Sequence, residues 1–232
     1  MIMLNFFLFF LSFLSSFSNK IQNTSWVNIN NDIYELRIYS DNYFTITKYN
    51  LESKKFISTK GGIYSINNGY YEVLEFNSID SSSVGDTLNY YNVKINLKND
   101  SGKMKIDGKK FIKNPDENQL AGSWLMSGIE RRGEMRMRDV NRPRKTMKIL
   151  AGNRFQWIAY DTSKKGFYGT GGGTYTATDG KYIENIEFFS RDSNTVGKSL
   201  EFNFELKDGD WHHRGFSSKG DPKYEIWTQR KQ

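Results

Sequence analysis

Two stretches of this chain carry the same blocks in the same order, and this repetition limits the possible folds more than any other feature. Gly61-Gly62-Ile63-Tyr64 followed by Gly69-Tyr70-Tyr71 recurs as Gly172-Gly173-Thr174-Tyr175 followed by Gly180-Lys181-Tyr182. Glu75-Phe76-Asn77-Ser78-Ile79-Asp80-Ser81 with Val84-Gly85 recurs as Glu187-Phe188-Phe189-Ser190-Arg191-Asp192-Ser193 with Val196-Gly197. A third block comes next, Val93-Lys94-Ile95-Asn96-Leu97-Lys98 against Phe202-Asn203-Phe204-Glu205-Leu206-Lys207. Self-similarity of this kind indicates a repeated supersecondary unit, so two diverged copies of one unit are expected.

Within each copy apolar and polar residues alternate with a period of two, as in Leu200, Phe202, Phe204 and Leu206 against Glu201, Asn203 and Glu205. That is the pattern of a half-buried strand, and helical spacing is absent. Turn signals separate the runs: Asn67-Asn68-Gly69, Asp100-Ser101-Gly102, Thr178-Asp179-Gly180 and Lys207-Asp208-Gly209-Asp210. They supply the left-handed positions that tight hairpins need. In the second copy the pattern predicts strands near 121–129, 145–151, 154–160, 166–177, 181–190, 198–207, 210–217 and 222–229. Eight antiparallel strands joined by short hairpins favour a closed up-and-down barrel, which leaves no exposed edge. The expected organisation is a first unit at residues 19–113, a linker at 114–119 where the pattern breaks, and a second unit at 120–232.

The second copy opens with Leu120-Ala121-Gly122-Ser123-Trp124 and closes with Trp227-Thr228-Gln229-Arg230. A Gly-x-Trp on the first strand with a basic residue at the last resembles the lipocalin and wider calycin barrels. The repeated blocks look like those of uncharacterised bacterial lipocalin-like secreted proteins over roughly residues 120–230. The resemblance implies an all-β chain of two lipocalin-like antiparallel barrels in tandem. It also assigns structural roles to Gly122, Trp124 and Arg230, with the Arg230 side chain covering the Trp124 ring. The first copy departs from the pattern: Thr24 stands two residues before Trp26, and no Trp-x-x-Arg closes it.

Residues 1–18 are apolar or small and carry no charge. They read as a cleaved secretory signal, with Ser16 and Ser18 at the positions a signal peptidase needs, and so imply a secreted or periplasmic protein. No positive charge precedes the apolar run, which leaves an uncleaved anchor, and hence a membrane partner, as the alternative. The chain has no cysteine, which removes disulfides, a thiol nucleophile and thiolate metal sites. Its 17 Phe, 14 Tyr and 5 Trp can build ordinary cores.

The adjacent His212 and His213 should face opposite sides of a strand, so they do not share a metal. Glu184 and Glu187, three apart, should also face opposite sides. Gly169, Gly171, Gly172 and Gly173 lack the Lys-Ser/Thr of a phosphate loop and are read as a bulge or sharp bend. Asp208-Gly209-Asp210 fails calcium-loop spacing and is read as a turn. The formal charge is +7, but acidic residues are interleaved except around Arg131-Arg132-Gly133-Glu134-Met135-Arg136-Met137-Arg138, Arg142, Arg144 and Lys145. That segment is either a solvated loop or a lid over a barrel mouth that attracts an anionic head group. It holds no aromatic residue for base stacking, which argues against nucleic acid.

The functional expectation is a binding protein that encloses a small apolar or amphipathic molecule in the second barrel, without cofactor or metal. Phe155, Trp157, Tyr175, Phe188, Phe202, Phe204 and Trp211 would line the interior, and Glu184 or Arg214 would orient the ligand. Packed core is the ordinary role for each of these aromatics. The alternatives are a module that binds glycan or an envelope protein through surface aromatics, and a cofactor-free isomerase or lyase, for which no titratable group is established.

Overall fold

The computed structural model describes residues 21–66, 70–90, 96–97, 102–106, 108–116 and 119–231. The leader, the Asn67-Asn68-Gly69 turn, the Asp100-Ser101 turn and most of the third block of the first copy lie outside these residues. Period-two alternation is realised as strands throughout. Among the described residues helix is confined to Ile21 and to the three-residue 3-10 turns Ser81–Ser83 and Ser193–Thr195. The side chains of Asp80 and Asp192 cap these turns in the same way, accepting from the amides of Ser82 and Asn194.

The first half contains β1 (Thr24–Asn30), β2 (Ile33–Ser40), β3 (Tyr43–Asn50), β4 (Lys55–Ser65), β5 (Tyr70–Asn77), β6 (Thr87–Tyr90), β7 (Asn96–Leu97), β8 (Lys103–Ile106) and β9 (Lys109–Lys113). These form one antiparallel sheet in the order β6-β5-β4-β3-β2-β1-β9-β8-β7. The second half contains β10 (Gly122–Arg131), β11 (Glu134–Met137), β12 (Arg144–Ala151), β13 (Arg154–Asp161), β14 (Gly166–Thr178), β15 (Lys181–Phe189), β16 (Ser199–Lys207), β17 (Asp210–Phe216) and β18 (Pro222–Gln229). Strand β10 pairs with both β12 and β18, so eight antiparallel strands close into a barrel. The hairpin strand β11, absent from the sequence pattern, pairs with β10 beyond the point where β12 ends. Arg132 and Gly133 both have positive φ at its turn, the geometry that matches strand twist in a two-residue hairpin.

The glycine cluster is a bulge, as its composition suggested. The register slips between Gly172 and Gly173, and it slips in the same way between Gly61 and Gly62. A Cβ on Gly173 would lie 2.0 Å from the Asn185 carbonyl oxygen, and one on Gly62 would lie 2.0 Å from that of Val73, so no other residue fits. The slip inserts Glu75 into β5 and Glu187 into β15 and reverses the facing of the residues beyond them. Ile186 and Phe189 pack inside the closed barrel of the second half. Phe188, expected to line that barrel, packs outside it.

The outward side chains meet in a core between the halves: Leu36, Ile38, Tyr43, Tyr49 and Phe76 against Met147, Ile149, Ile158, Tyr160 and Phe188. The contacts are reciprocal. Tyr49 packs at a tilt against Phe188, with ring centroids 4.9 Å apart, and Tyr160 against Phe76 at 5.0 Å. Tyr49 donates to Glu187, and Tyr160 donates to Glu75 at 2.7 Å. Phe56 lies parallel to Phe167 across the same centre. The halves therefore join face to face about an approximate twofold, each burying the apolar outer face of the other's sheet.

Candidate functional site

Inside the second barrel, Lys148 on β12 projects from a strand whose other face, Met147 and Ile149, is sealed by the first half. The ammonium group is enclosed by aromatic rings, 4.9 Å from the centroid of Tyr182, 4.8 Å from Trp211 and 5.1 Å from Trp227. It donates to Glu184 at 2.8 Å and approaches His213 Nδ1 at 3.3 Å. An ammonium only donates, so Nδ1 accepts and the imidazole proton sits on Nε2. Glu225 is also buried, and Lys223 reaches it from outside at 3.1 Å. Burial lowers the Lys148 amine below its ordinary value, against the opposing charges of Glu184 and Glu225. Burial, then the charges of Lys148 and Lys223, push the His213 imidazole well below its ordinary range. Among the described residues, Trp211 Nε1, Trp227 Nε1, His213 Nε2 and Glu225 Oε2 have no hydrogen-bond partner.

Most of the side chains expected to line a ligand pocket here are packed core. Phe155, Tyr175, Phe202 and Trp211 are buried in one cluster, with Trp157 and Phe204 partly buried against it. Glu184 does point inward, but Lys148 occupies it, and Glu187 faces the other way to Arg154. Two expectations are corrected. Arg214 is exposed on the outer face, with its guanidinium over Tyr224 at 4.1 Å, because it alternates with the inward His213. Arg230 does not cover Trp124, whose Nε1 instead donates to the Leu120 carbonyl at 3.0 Å. Arg230 crosses to the first half, where it bonds Glu75 through both terminal nitrogens at 2.6 and 2.8 Å and lies over Tyr43 at 4.0 Å. Gly122 opens β10 with φ 152°, and a Cβ there would meet Trp124 Nε1 at 3.1 Å. The two histidines do separate: His213 faces inward, and His212 pairs with the Tyr224 hydroxyl outside.

The first half is built differently. Between β2, β3, β4, β5, β8 and β9 lies a cavity of about 280 Å³ lined by polar and charged side chains. Its deep carboxylates are Glu35 and Glu72, with side chains 6 % and 2 % exposed. Arg37 and Lys109 hold Glu35 at 2.8 and 2.7 Å, and Lys60 holds Glu72 at 2.9 Å. Burial alone would raise the Glu35 carboxyl, but hydrogen bonds and charge from Lys109 and Arg37 keep it below its ordinary range. The Tyr70 hydroxyl donates to Glu72 at 3.0 Å. Burial, with Tyr39 and Glu72 beside it, raises that hydroxyl well above its ordinary value, so it remains a donor at neutral pH. Lys48, Ser58, Thr59, Asn77 and three isoleucines complete the wall.

None of these first-half residues was singled out from the sequence. A signal was present: Glu35-x-Arg37 places opposite charges on one face of a strand, and Lys60 and Asn77 occupy the register of Gly171 and Phe189. Residues 119–232 match the model of a family described as a domain of unknown function (DUF4488), which spans the second barrel and its approach. No curated protein matches the chain.

Proposed function

We propose that this chain is an exported binding protein made of two lipocalin-like units in tandem, and that the first unit holds the ligand. The ligand is a small, oxygen-rich anion such as a hydroxylated carboxylic acid. The observation that carries this reading is the first-half cavity, with four cationic side chains (Arg37, Lys48, Lys60, Lys109) against two carboxylates (Glu35, Glu72). A cationic surplus favours an anion. The Ser58 hydroxyl and the Tyr70 phenol oxygen in the wall suit hydroxyls. At about 280 Å³ the space is at the lower edge of ordinary ligand pockets, about 300–1,000 Å³, and suits a molecule of few atoms. The shared strand order around β1 and β10 and the matching bulges support the tandem reading, and the uncharged apolar leader supports export.

A second reading keeps an apolar ligand at the second barrel, at its mouth rather than inside it. It rests on an open depression of about 620 Å³ with Leu120, Trp124, Phe204 and Leu206 in its wall. Calorimetric titration separates the two. Hydroxy acids and sugar acids should bind while their neutral amides do not, and Arg37→Met should weaken binding at least about tenfold, the loss of one charge-assisted pair. Saturable binding of fatty or aromatic molecules alone, unaffected by Arg37→Met and lost in Phe204→Asp, would favour the second reading.

A further inference from the structure

Arginine is unevenly placed in this chain. Six of the eleven arginines fall within residues 131–144. Each of the other five has a defined partner. Arg37 binds Glu35, Arg154 binds Glu187, and Arg230 binds Glu75. Arg191 donates to the Tyr168 carbonyl, and Arg214 lies over Tyr224. Elsewhere the fork is thus used where planar or paired recognition is available.

The six in the cluster are all exposed. Arg142 makes a long ion pair to Asp139 at 3.8 Å, and Arg144 lies over the Tyr168 ring at 3.5 Å. Among the described residues, the side chains of Arg131, Arg132, Arg136 and Arg138 make no ion pair or hydrogen bond. Arg131, Arg138 and Arg144 are close to one another: after burial, the positive charge of Arg131 lowers the Arg138 guanidinium, Glu225 opposes this, and Arg144 adds to it. Like charges gathered without partners are unfavourable in the free protein and are relieved by a polyanion.

The display is fixed in place. Arg131 and Arg136 lie in the β10–β11 ladder. The loop after β11 is tied down by Lys145 Nζ, which donates to the carbonyls of Val140 at 2.9 Å and Arg142 at 3.1 Å. Val140 itself packs against the core between the halves. Met137, 66 % exposed, stands between Arg136 and Arg138. The aromatic ring identified beside the cluster, Tyr168, already carries Arg144 over one face.

We infer that the β10–β11 hairpin and the loop after it form a docking surface for a bilayer rich in anionic phospholipid. The four unpartnered guanidinium groups meet lipid phosphates. An arginine-rich surface suits an anionic bilayer, and a loop tied down in this way loses little freedom on docking. This inference does not depend on where the small ligand binds.

The test is co-sedimentation of the full chain with vesicles of phosphatidylcholine, with and without phosphatidylglycerol. The apolar leader contributes equally to both, so the ratio between them is the readout. Partitioning should be at least about tenfold greater on the anionic vesicles and should fall steeply with added salt. In the R131Q/R132Q/R136Q/R138Q variant the ratio should fall to near one, with an unchanged melting temperature. Replacing the same four residues by lysine should retain most of the ratio. Equal binding to both vesicles, or a variant that keeps the wild-type ratio, would overturn the proposal. So would displacement from anionic vesicles by an oligonucleotide at equal phosphate concentration.

Discussion

Where Arg37 and Lys148 face inward, the two halves use the same sheet register and fill it in opposite ways. Arg37 pairs across the strands with Trp26 and Ile46, and Lys148 with Trp124 and Trp157. One strand further, Ile46 lies opposite Lys60 and Trp157 opposite Gly171; beyond these come Asn77 and Phe189. In the second barrel, glycine makes room for two large rings: Trp157 and Phe189 meet edge to face at 5.5 Å, and a Cβ on Gly171 would lie 2.6 Å from each. In the first half a lysine occupies that place, with an isoleucine and an asparagine instead of the rings. The side-chain volume moves from neighbouring strands to one strand, and at this place packed rings give way to a charged cavity, beside the first half's own buried cluster of Trp26, Tyr39, Phe44, Tyr64 and Phe111. Similar backbones can thus give either a filled core or a polar pocket, depending on how a few inward positions share their volume.

The largest expected difference between the halves lies in their buried cations. Lys148→Met strands Glu184 in an apolar interior and should lower unfolding free energy by about 3–5 kcal/mol. Arg37→Met should lower it by about half as much or less, because Glu35 keeps Lys109 at 2.7 Å beside a cavity that admits solvent. Urea denaturation of both variants measures the gap, and equal losses would break the contrast. Gly171→Lys, which gives the second barrel the residue of the first, should destabilise by about 1–3 kcal/mol through overpacking. The complementary Lys60→Gly should act mainly on ligand affinity.

The two halves should also respond to acid in different windows. His213 resists protonation in the folded state, so the unfolded chain takes up a proton first as pH falls below about 6.5. Stability is therefore full above that value and lost below it, by up to about 1.4 kcal/mol per pH unit. Glu35 and Glu75 have depressed folded values, so their contribution is full above about 4.5 and is lost as pH falls further. Denaturation midpoints between pH 7 and 5 should slope for the wild type and flatten for His213→Phe. The smallest effect should come from outside the barrel. Lys181→Ala removes an exposed pair with Glu201 and should change stability by about 0.5 kcal/mol or less.

Much of the second barrel was legible because its signals are local. The predicted strand at 222–229 is observed as Pro222–Gln229, and that at 154–160 as Arg154–Asp161. Both turns built on Asp-Gly, at Asp179-Gly180 and Asp208-Gly209, have the positive φ values such hairpins need. The partners across the fold were not legible. Arg230 and Phe188 go where they do because a second sheet lies against the barrel, and alternation along one strand carries no information about that sheet. Lys148 was missed for the same reason: in Met147-Lys148-Ile149 both faces are buried, so the amphipathic alternation disappears. The better preserved opening and closing motifs, Gly122-Ser123-Trp124 and Trp227 to Arg230, stand in the half whose interior is packed, and they drew the expected site away from the first half.

The most direct test of the central claim is native mass spectrometry of the protein purified from its own host, as wild type and as the variant Ile46→Trp/Lys60→Gly/Asn77→Phe. That variant gives the first half the filling of the second, and its folding is checked by its circular dichroism spectrum and melting curve. The wild type should retain a small anionic molecule that is released on denaturation, and the folded variant should carry none. Retention of the same molecule by the folded variant, or its loss only when Trp124 or Phe204 is replaced, would contradict the assignment of the ligand to the first half.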